Sequence, residues 1–211
     1  MRERLLTLAG FAGAALLAWS TATGAHLVFF YAPLTVGAWF LAGAAMVSSL
    51  RFLRTKNFQY DSLSVANIEV GLALLGSSLG AGTIWERALS DRWWDWSVPL
   101  TSTLACGLLY VGYLILRHAV EEPTQRATFS AIFSIFAFLD IPMVVLAVAW
   151  WSQKHPKPLM WAGMTFAGQW PLLVGSTAGI LLLALTLIAV RVRQEESQRE
   201  LDSLRRTVHA F

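Results

Sequence analysis

Six long apolar runs alternate with short polar stretches along the chain, at about residues 5–23, 28–50, 62–84, 100–116, 127–151 and 171–190. A helix needs about 20 mostly apolar residues to cross the hydrocarbon core of a bilayer, and each run has roughly that length. The polar stretches between them are short, which leaves no room for a separate soluble domain. The pattern predicts an all-α fold, a polytopic membrane helix bundle with six transmembrane helices, forming a single membrane domain over residues 1–211. The first 25 residues also have the outline of a secretory signal peptide, with a basic start and a small-residue end at Ala22-Thr23-Gly24-Ala25. The apolar run there exceeds the usual signal-peptide core of about 7–15 residues, so a first span is the expected reading.

Composition agrees with the pattern: 56% of the residues are apolar and 14% charged, membranous rather than globular proportions. The net charge of +3 is modest and its cations sit at span ends. That argues against nucleic acid as a partner, since such binding needs a basic face on a folded domain. The cations are unevenly divided. With six spans, the termini and the second and fourth loops share one side, which carries twelve Lys and Arg, against four on the other side. Short loops rich in Lys and Arg stay cytoplasmic, so both termini are expected there, in a cell inner membrane. Cys106 is the only cysteine. It can form no internal disulfide and reads as a small buried apolar residue.

The same topology puts eight of the ten tryptophans on the outer side. Trp85, Trp93, Trp94 and Trp96 fall in the second outer stretch, 82–102, beside Asp95, and Trp150, Trp151, Trp161 and Trp170 fall in or beside the third outer loop. Interfacial anchoring belts populate both membrane surfaces. A one-sided cluster predicts an outer platform for a large, flat, apolar ligand.

Other polar residues have plainer readings. Tyr31 opens the second span, where a tyrosine commonly anchors a helix at the interface, and Pro33 is expected in the first helical turn. Asn67 and Glu69 lie in the third span; Glu69 reads as a helix-pairing or snorkelling carboxylate or as a functional group. Gly71, Gly76, Gly80 and Gly82 permit close helix approach. Asp140 is expected to face the bundle interior and Pro142 to kink the fifth span. His118 and His209 fall on the inner side and read as solvated. His155 lies in the third outer loop beside Lys154 and Lys157, with Trp150 and Trp151 just before it. A neutral imidazole can ligate haem iron, and the lysines can pair with propionates. The tail after Val190 reads as a short amphipathic cytoplasmic helix.

Several short motifs occur together and in order: Glu69-Val70-Gly71, Gly82-Thr83-Ile84-Trp85, Trp93-Trp94-Asp95-Trp96, Leu100-Thr101-Ser102, Glu122-Pro123, Asp140-Ile141-Pro142, and Trp150-Trp151 leading to His155. In this, from about residue 29 to 190, the chain resembles the CcmC family, the haem exporter protein C or cytochrome c assembly proteins of the WWD-domain haem-handling group. The resemblance implies a non-enzymatic membrane protein of cytochrome c maturation. It would hold haem b transiently on the outer, periplasmic face and deliver it to a haem chaperone, beside ABC-transporter subunits and within membrane lipid.

The family uses two outer histidines as axial ligands. The second matches His155. The first falls at Tyr31, and tyrosine also ligates haem iron. His26, five residues earlier, is the alternative, and a site with no second protein ligand stays open. The resemblance thus marks His155 and Tyr31 as metal ligands and the tryptophan-rich segment as support for the macrocycle; together with the residue readings, Trp85, Trp93, Trp94, Asp95, Trp96, Trp150, Trp151, Lys154, Lys157 and His26 are further haem-binding candidates. Ser97 and Pro99 stand where the family pattern has aspartate and arginine. The competing readings are a permease subunit for another amphipathic solute and a structural membrane subunit of a haem- or quinone-linked complex.

Overall fold

A computed structural model describes residues 2–22, 28–91, 93–94, 96, 98–151 and 170–209. The described chain is helical apart from short connections. The helices are α1 (Arg2–Ala22), α2 (Val28–Thr55), α3 (Phe58–Ser90), α4 (Val98–Ala119), α5 (Pro123–Phe138), α6 (Asp140–Trp151) and α7 (Trp170–His209). Five stretches are long and apolar enough to cross a membrane: Tyr31–Thr55, Phe58–Ile84, Leu100–Ala119, Pro123–Leu146 and Pro171–Leu201. The remaining predicted span, the first, corresponds to α1, 21 residues long with an apolar segment at Leu6–Ala18. At 1.5 Å per residue it reaches about 31 Å, the thickness of a hydrocarbon core. The chain is a multi-pass helical membrane protein, as the pattern predicts.

Several boundaries differ from the sequence expectation, each for a local reason. The inner stretch 51–61 is almost wholly helical, and only Lys56 and Asn57 separate α2 from α3. Lys56 takes a left-handed conformation at φ 55°, and its N–H bonds Phe52 O at 2.7 Å. Asn57 then caps α3 by accepting from the Gln59 N–H at 2.9 Å, the role that favours asparagine at helix starts. A left-handed non-glycine residue costs about 1 kcal/mol, and glycine is the usual occupant of that position. Lys56→Gly is therefore expected to stabilise the protein by about 1 kcal/mol. A fall in thermal or denaturant stability of the purified variant in detergent would contradict this.

At the outer side, α3 runs on to Ser90, so about half of the stretch expected as a loop is helix. Pro33 lies in the second turn of α2 rather than the first. Its missing N–H leaves the carbonyl four residues earlier without an intrahelical donor. The fifth span breaks where Pro142 predicts it: Leu139 closes α5, its N–H reaching Phe136 O at 3.1 Å, and α6 restarts at Asp140. The tail does not form a separate helix. It continues α7, which runs for 40 residues in all, about 60 Å, twice what a membrane needs, so its C-terminal part projects beyond the bilayer.

The packing is graded. α2 and α3 form the most extensive pair, and α4, α5 and α7 pack around them. The core pairs small residues with aromatics: Ala38, Ala42 and Ala45 on α2 meet Val65, Ile68 and Leu75 on α3, and Cys106, Tyr110 and Tyr113 on α4. Helices in lipid gain no hydrophobic drive from one another, so close backbone approach through small residues decides the contact. α1 leans mainly on α7. There a Cβ on Gly13 would stand 2.9 Å from Gly179 O, and one on Gly179 equally close to Gly13 O. Any larger side chain at either glycine forces the two helices apart.

Candidate functional site

One end of the bundle is built where α3 stops. Asp91 adopts a left-handed conformation, φ 59°, and its N–H closes the helix on Arg87 O at 3.2 Å. Arg87 folds back, its Nη1 donating to Asp91 O at 2.9 Å. This holds the guanidinium over the ring of Trp93, 5.3 Å from its centroid, an arrangement favoured by the ring quadrupole. Trp94 and Trp96 meet edge to face at 5.7 Å and 79°. Trp93 and Trp96 are 65% and 75% exposed, whereas Trp94 is half-buried and its Nε1 has no partner among the described residues. Arg87 also pairs with the Asp91 carboxylate at 3.4 Å, so the two open indoles form an aromatic shelf beside an exposed ion pair. Such large exposed rings mark a surface made for contact.

Tyr31 lies where α2, α3 and α4 converge. Its ring packs against Gly82, where a Cβ would lie 3.0 Å from Tyr31 Cε2 and 2.9 Å from Leu100 Cδ2. Glycine at position 82 is thus required by the approach of α2 and α4 to α3. The Tyr31 carbonyl accepts from Thr35 Oγ1 at 3.0 Å and Ser78 Oγ at 3.3 Å, and those two hydroxyls bond each other at 2.5 Å. The Tyr31 hydroxyl reaches Thr103, one turn into α4. Tyr31 is therefore half-buried and built into the three-helix junction beneath the tryptophan segment, more deeply placed than a surface anchor.

Of the other predicted residues, Trp85 falls in the last turns of α3, and Trp150 and Trp151 end α6. Asp95, His26, Lys154, His155 and Lys157 lie outside the described residues, as does Ser97. His118 is exposed, with its Nδ1 2.7 Å from Leu114 O, in keeping with its plain reading. Cys106 is buried, as expected. Asp140 turns toward Cys106 in the bundle, and its Oδ2 has no partner among the described residues.

A second constellation closes the opposite end of the bundle. Arg117 on α4 grips Asp61 on α3 with both terminal nitrogens, each at 3.0 Å, and Nη2 also donates to Glu195 on α7 at 2.6 Å. Arg199 pairs with the same Asp61 carboxylate and lies 3.5 Å from Glu195. One turn along α7, Arg191 clasps Glu69 through Nε and, at 2.8 Å, through Nη2. Three carboxylates and three guanidiniums thus tie α3, α4 and α7 together, with Asp61, Arg117 and Glu195 buried. Glu69 takes the helix-pairing role. The sequence signals for this cluster are the Arg191, Glu195, Arg199 spacing of four, which places all three on one helix face, and an aspartate just inside a span.

The fold defines a polytopic helical membrane protein that carries an exposed aromatic shelf at one end of the bundle. The comparisons with known proteins narrow this. The chain matches the family model described as Heme exporter protein C over residues 5–207. It is 29% identical to the Heme exporter protein C of Bradyrhizobium diazoefficiens, over 84% of this chain and 69% of that protein. It is 28% identical to the one from Paracoccus denitrificans, over 84% of this chain and 76% of that protein. A putative cytochrome c biosynthesis ccmC-like mitochondrial protein of Marchantia polymorpha is 27% identical over 53% of this chain and 46% of its own length. The chain belongs to the Heme exporter protein C family, as its motifs predict.

Proposed function

We propose that this protein handles haem during cytochrome c maturation, binding haem b transiently on the outer face and passing it to a haem chaperone. The observation that supports this reading is the shelf: Trp93 and Trp96 are mostly exposed with the Arg87 guanidinium over Trp93, in a chain of the Heme exporter protein C family. The indole faces suit a planar macrocycle, and Arg87 supplies a cation for a propionate. His155 is the proposed axial ligand from the third outer loop, with Lys154 and Lys157 as further propionate partners. Tyr31 or His26 is the candidate for the opposite face. The Tyr31 hydroxyl is turned toward Thr103, so ligation by Tyr31 requires that bond to be released. Asp95, Trp85, Trp150 and Trp151 complete the proposed wall.

The protein's task is to hold and transfer, with no covalent chemistry of its own. Its proposed partners are ABC-transporter subunits of the same maturation system and surrounding lipid. Its proposed place is the inner membrane, with both termini cytoplasmic. That topology is checked by cysteine labelling: an impermeant reagent should label a cysteine at Ser152 and spare one at Gln59, and the reverse result refutes it. The function is tested by deletion and by spectroscopy. Loss of the gene should abolish c-type cytochromes, and the purified protein should show a Soret band. His155→Ala should weaken or shift that band and added imidazole should partly restore it, whereas His118→Ala should leave it unchanged. An unaltered spectrum and unaltered maturation in His155→Ala would reject the ligand assignment.

A further inference from the structure

The short turn between α2 and α3 carries three cations whose charge nothing described cancels. Arg51, Arg54 and Lys56 are exposed, and none of them pairs with a carboxylate among the described residues. Three other arginines at this end are neutralised, since Arg117, Arg191 and Arg199 hold Asp61, Glu69 and Glu195. Two of the turn's cations lie over aromatic rings instead. The Arg51 guanidinium is 5.9 Å from the Tyr60 centroid, and Lys56 Nζ is 5.6 Å from that of Phe52. A ring quadrupole steadies a cation without cancelling its charge. Ala127 packs on Phe52 and so brings the start of α5 to this level. There Glu122 is engaged as the cap of α5, accepting from the Thr124 and Gln125 N–H groups, and the charge of Glu121 is offset by Arg126.

The turn lies between the membrane-crossing stretches Tyr31–Thr55 and Phe58–Ile84, so its cations stand at the level of lipid headgroups. They also end an exposed stripe. Phe40, Ala44, Val47, Leu50, Arg51 and Arg54 are all exposed and follow one another at helical spacing along one face of α2. Ala38, Ala42, Ala45 and Phe52, on the opposite face, are buried in the bundle. From Phe40 to Leu50 the apolar part of the stripe runs about 15 Å, half a hydrocarbon core and the depth of one leaflet. A surface that is apolar through one leaflet and cationic where it meets the headgroups has the outline of a lipid with a negative head.

We propose that the α2–α3 turn binds the phosphate of an anionic phospholipid, whose acyl chain lies along the exposed stripe of α2. Arg51 and Arg54 offer guanidinium forks to the phosphate oxygens, and Lys56 adds a compact point charge. A zwitterionic head carries its own cation, which these three repel, so the site selects a head of net negative charge. A free phosphate would meet the same cations and gain nothing from the stripe. The continuity of cations and apolar stripe on one helix face is what favours a lipid over a soluble anion or an acidic protein segment.

The test places the full chain in nanodiscs of equal phosphatidylglycerol and phosphatidylcholine and counts, by native mass spectrometry, the lipids that stay bound on release. Wild type should retain phosphatidylglycerol in clear excess. Arg51→Gln/Arg54→Gln should lower its apparent affinity for that lipid roughly 25-fold, about fivefold for each charge removed. Arg51→Lys/Arg54→Lys keeps both charges and should keep the larger part of the preference. Both arginines are exposed, and melting curves in phosphatidylcholine alone establish that each variant is folded. Equal retention of the two lipids by wild type would overturn the proposal. So would an unchanged preference in the folded glutamine variant, or a lysine variant as weak as the glutamine one. Displacement of the bound lipid by soluble glycerol phosphate would also overturn it, and would leave a site for a free anion. No arm requires haem, so the outcome is independent of the haem reading.

Discussion

Arg117→Met is expected to destabilise the protein by about 3 kcal/mol, the low end of the cost of breaking a buried ion pair, because Arg199 still pairs with Asp61 and lies 3.5 Å from Glu195. The guanidinium makes two bonds to Asp61 and one to Glu195, and both carboxylates are buried. Methionine retains much of the stem's volume, so the loss is electrostatic rather than steric. Removing a whole buried pair is often neutral or even stabilising. Arg117→Met/Asp61→Leu should therefore recover much of the loss, since Arg199 still faces Glu195 at 3.5 Å. Thermal or denaturant unfolding in detergent checks both variants. If the double variant is as unstable as the sum of its singles, the pair is not coupled and the interpretation fails. A recovery would mean that the cluster chiefly fixes how α4 and α7 meet α3.

The second large effect concerns the shelf. Trp93→Ala/Trp96→Ala should weaken haem binding by about 2 kcal/mol, roughly 30-fold, if each open ring contributes a typical aromatic contact. Both side chains are mostly exposed, so their truncation leaves the helix bundle intact, and the effect appears in haem affinity rather than in unfolding. Trp94 is the internal contrast. It is half-buried against the segment and meets Trp96 edge to face, so Trp94→Ala should also loosen the local fold. Titration of the Soret band in lipid nanodiscs measures the affinities. Unchanged affinity in the double variant would return these tryptophans to the role of interfacial anchors.

Much of this architecture is legible in the chain. Span length follows from bilayer thickness and hydropathy, which are properties of local sequence, and among the described residues five of the six predicted spans recur as helices long and apolar enough to cross a membrane. The break before Pro142 is equally local, because proline lacks the N–H that an inner turn needs. The family is carried by short motifs in fixed order. Helix ends are harder to read: α2, α3 and α7 all run past the hydrophobic limits, because polar helix outside the bilayer is indistinguishable by hydropathy from polar loop.

Tertiary structure alone decides which polar groups meet. Arg117 reads in sequence as one more cytoplasmic charge, yet it is the buried centre of a cluster drawn from positions 61, 69, 191, 195 and 199. Tyr31 reads as a surface anchor or a ligand, yet the close approach allowed by Gly82 locks it among three helices. Arg87 reads as an outer charge, and only the left-handed turn at Asp91 folds it over Trp93. The reason is common to all three. Sequence periodicity tells which face of a helix is polar, but the partner of that face depends on how the helices are ordered around one another. That order is set by packing between residues far apart in the chain.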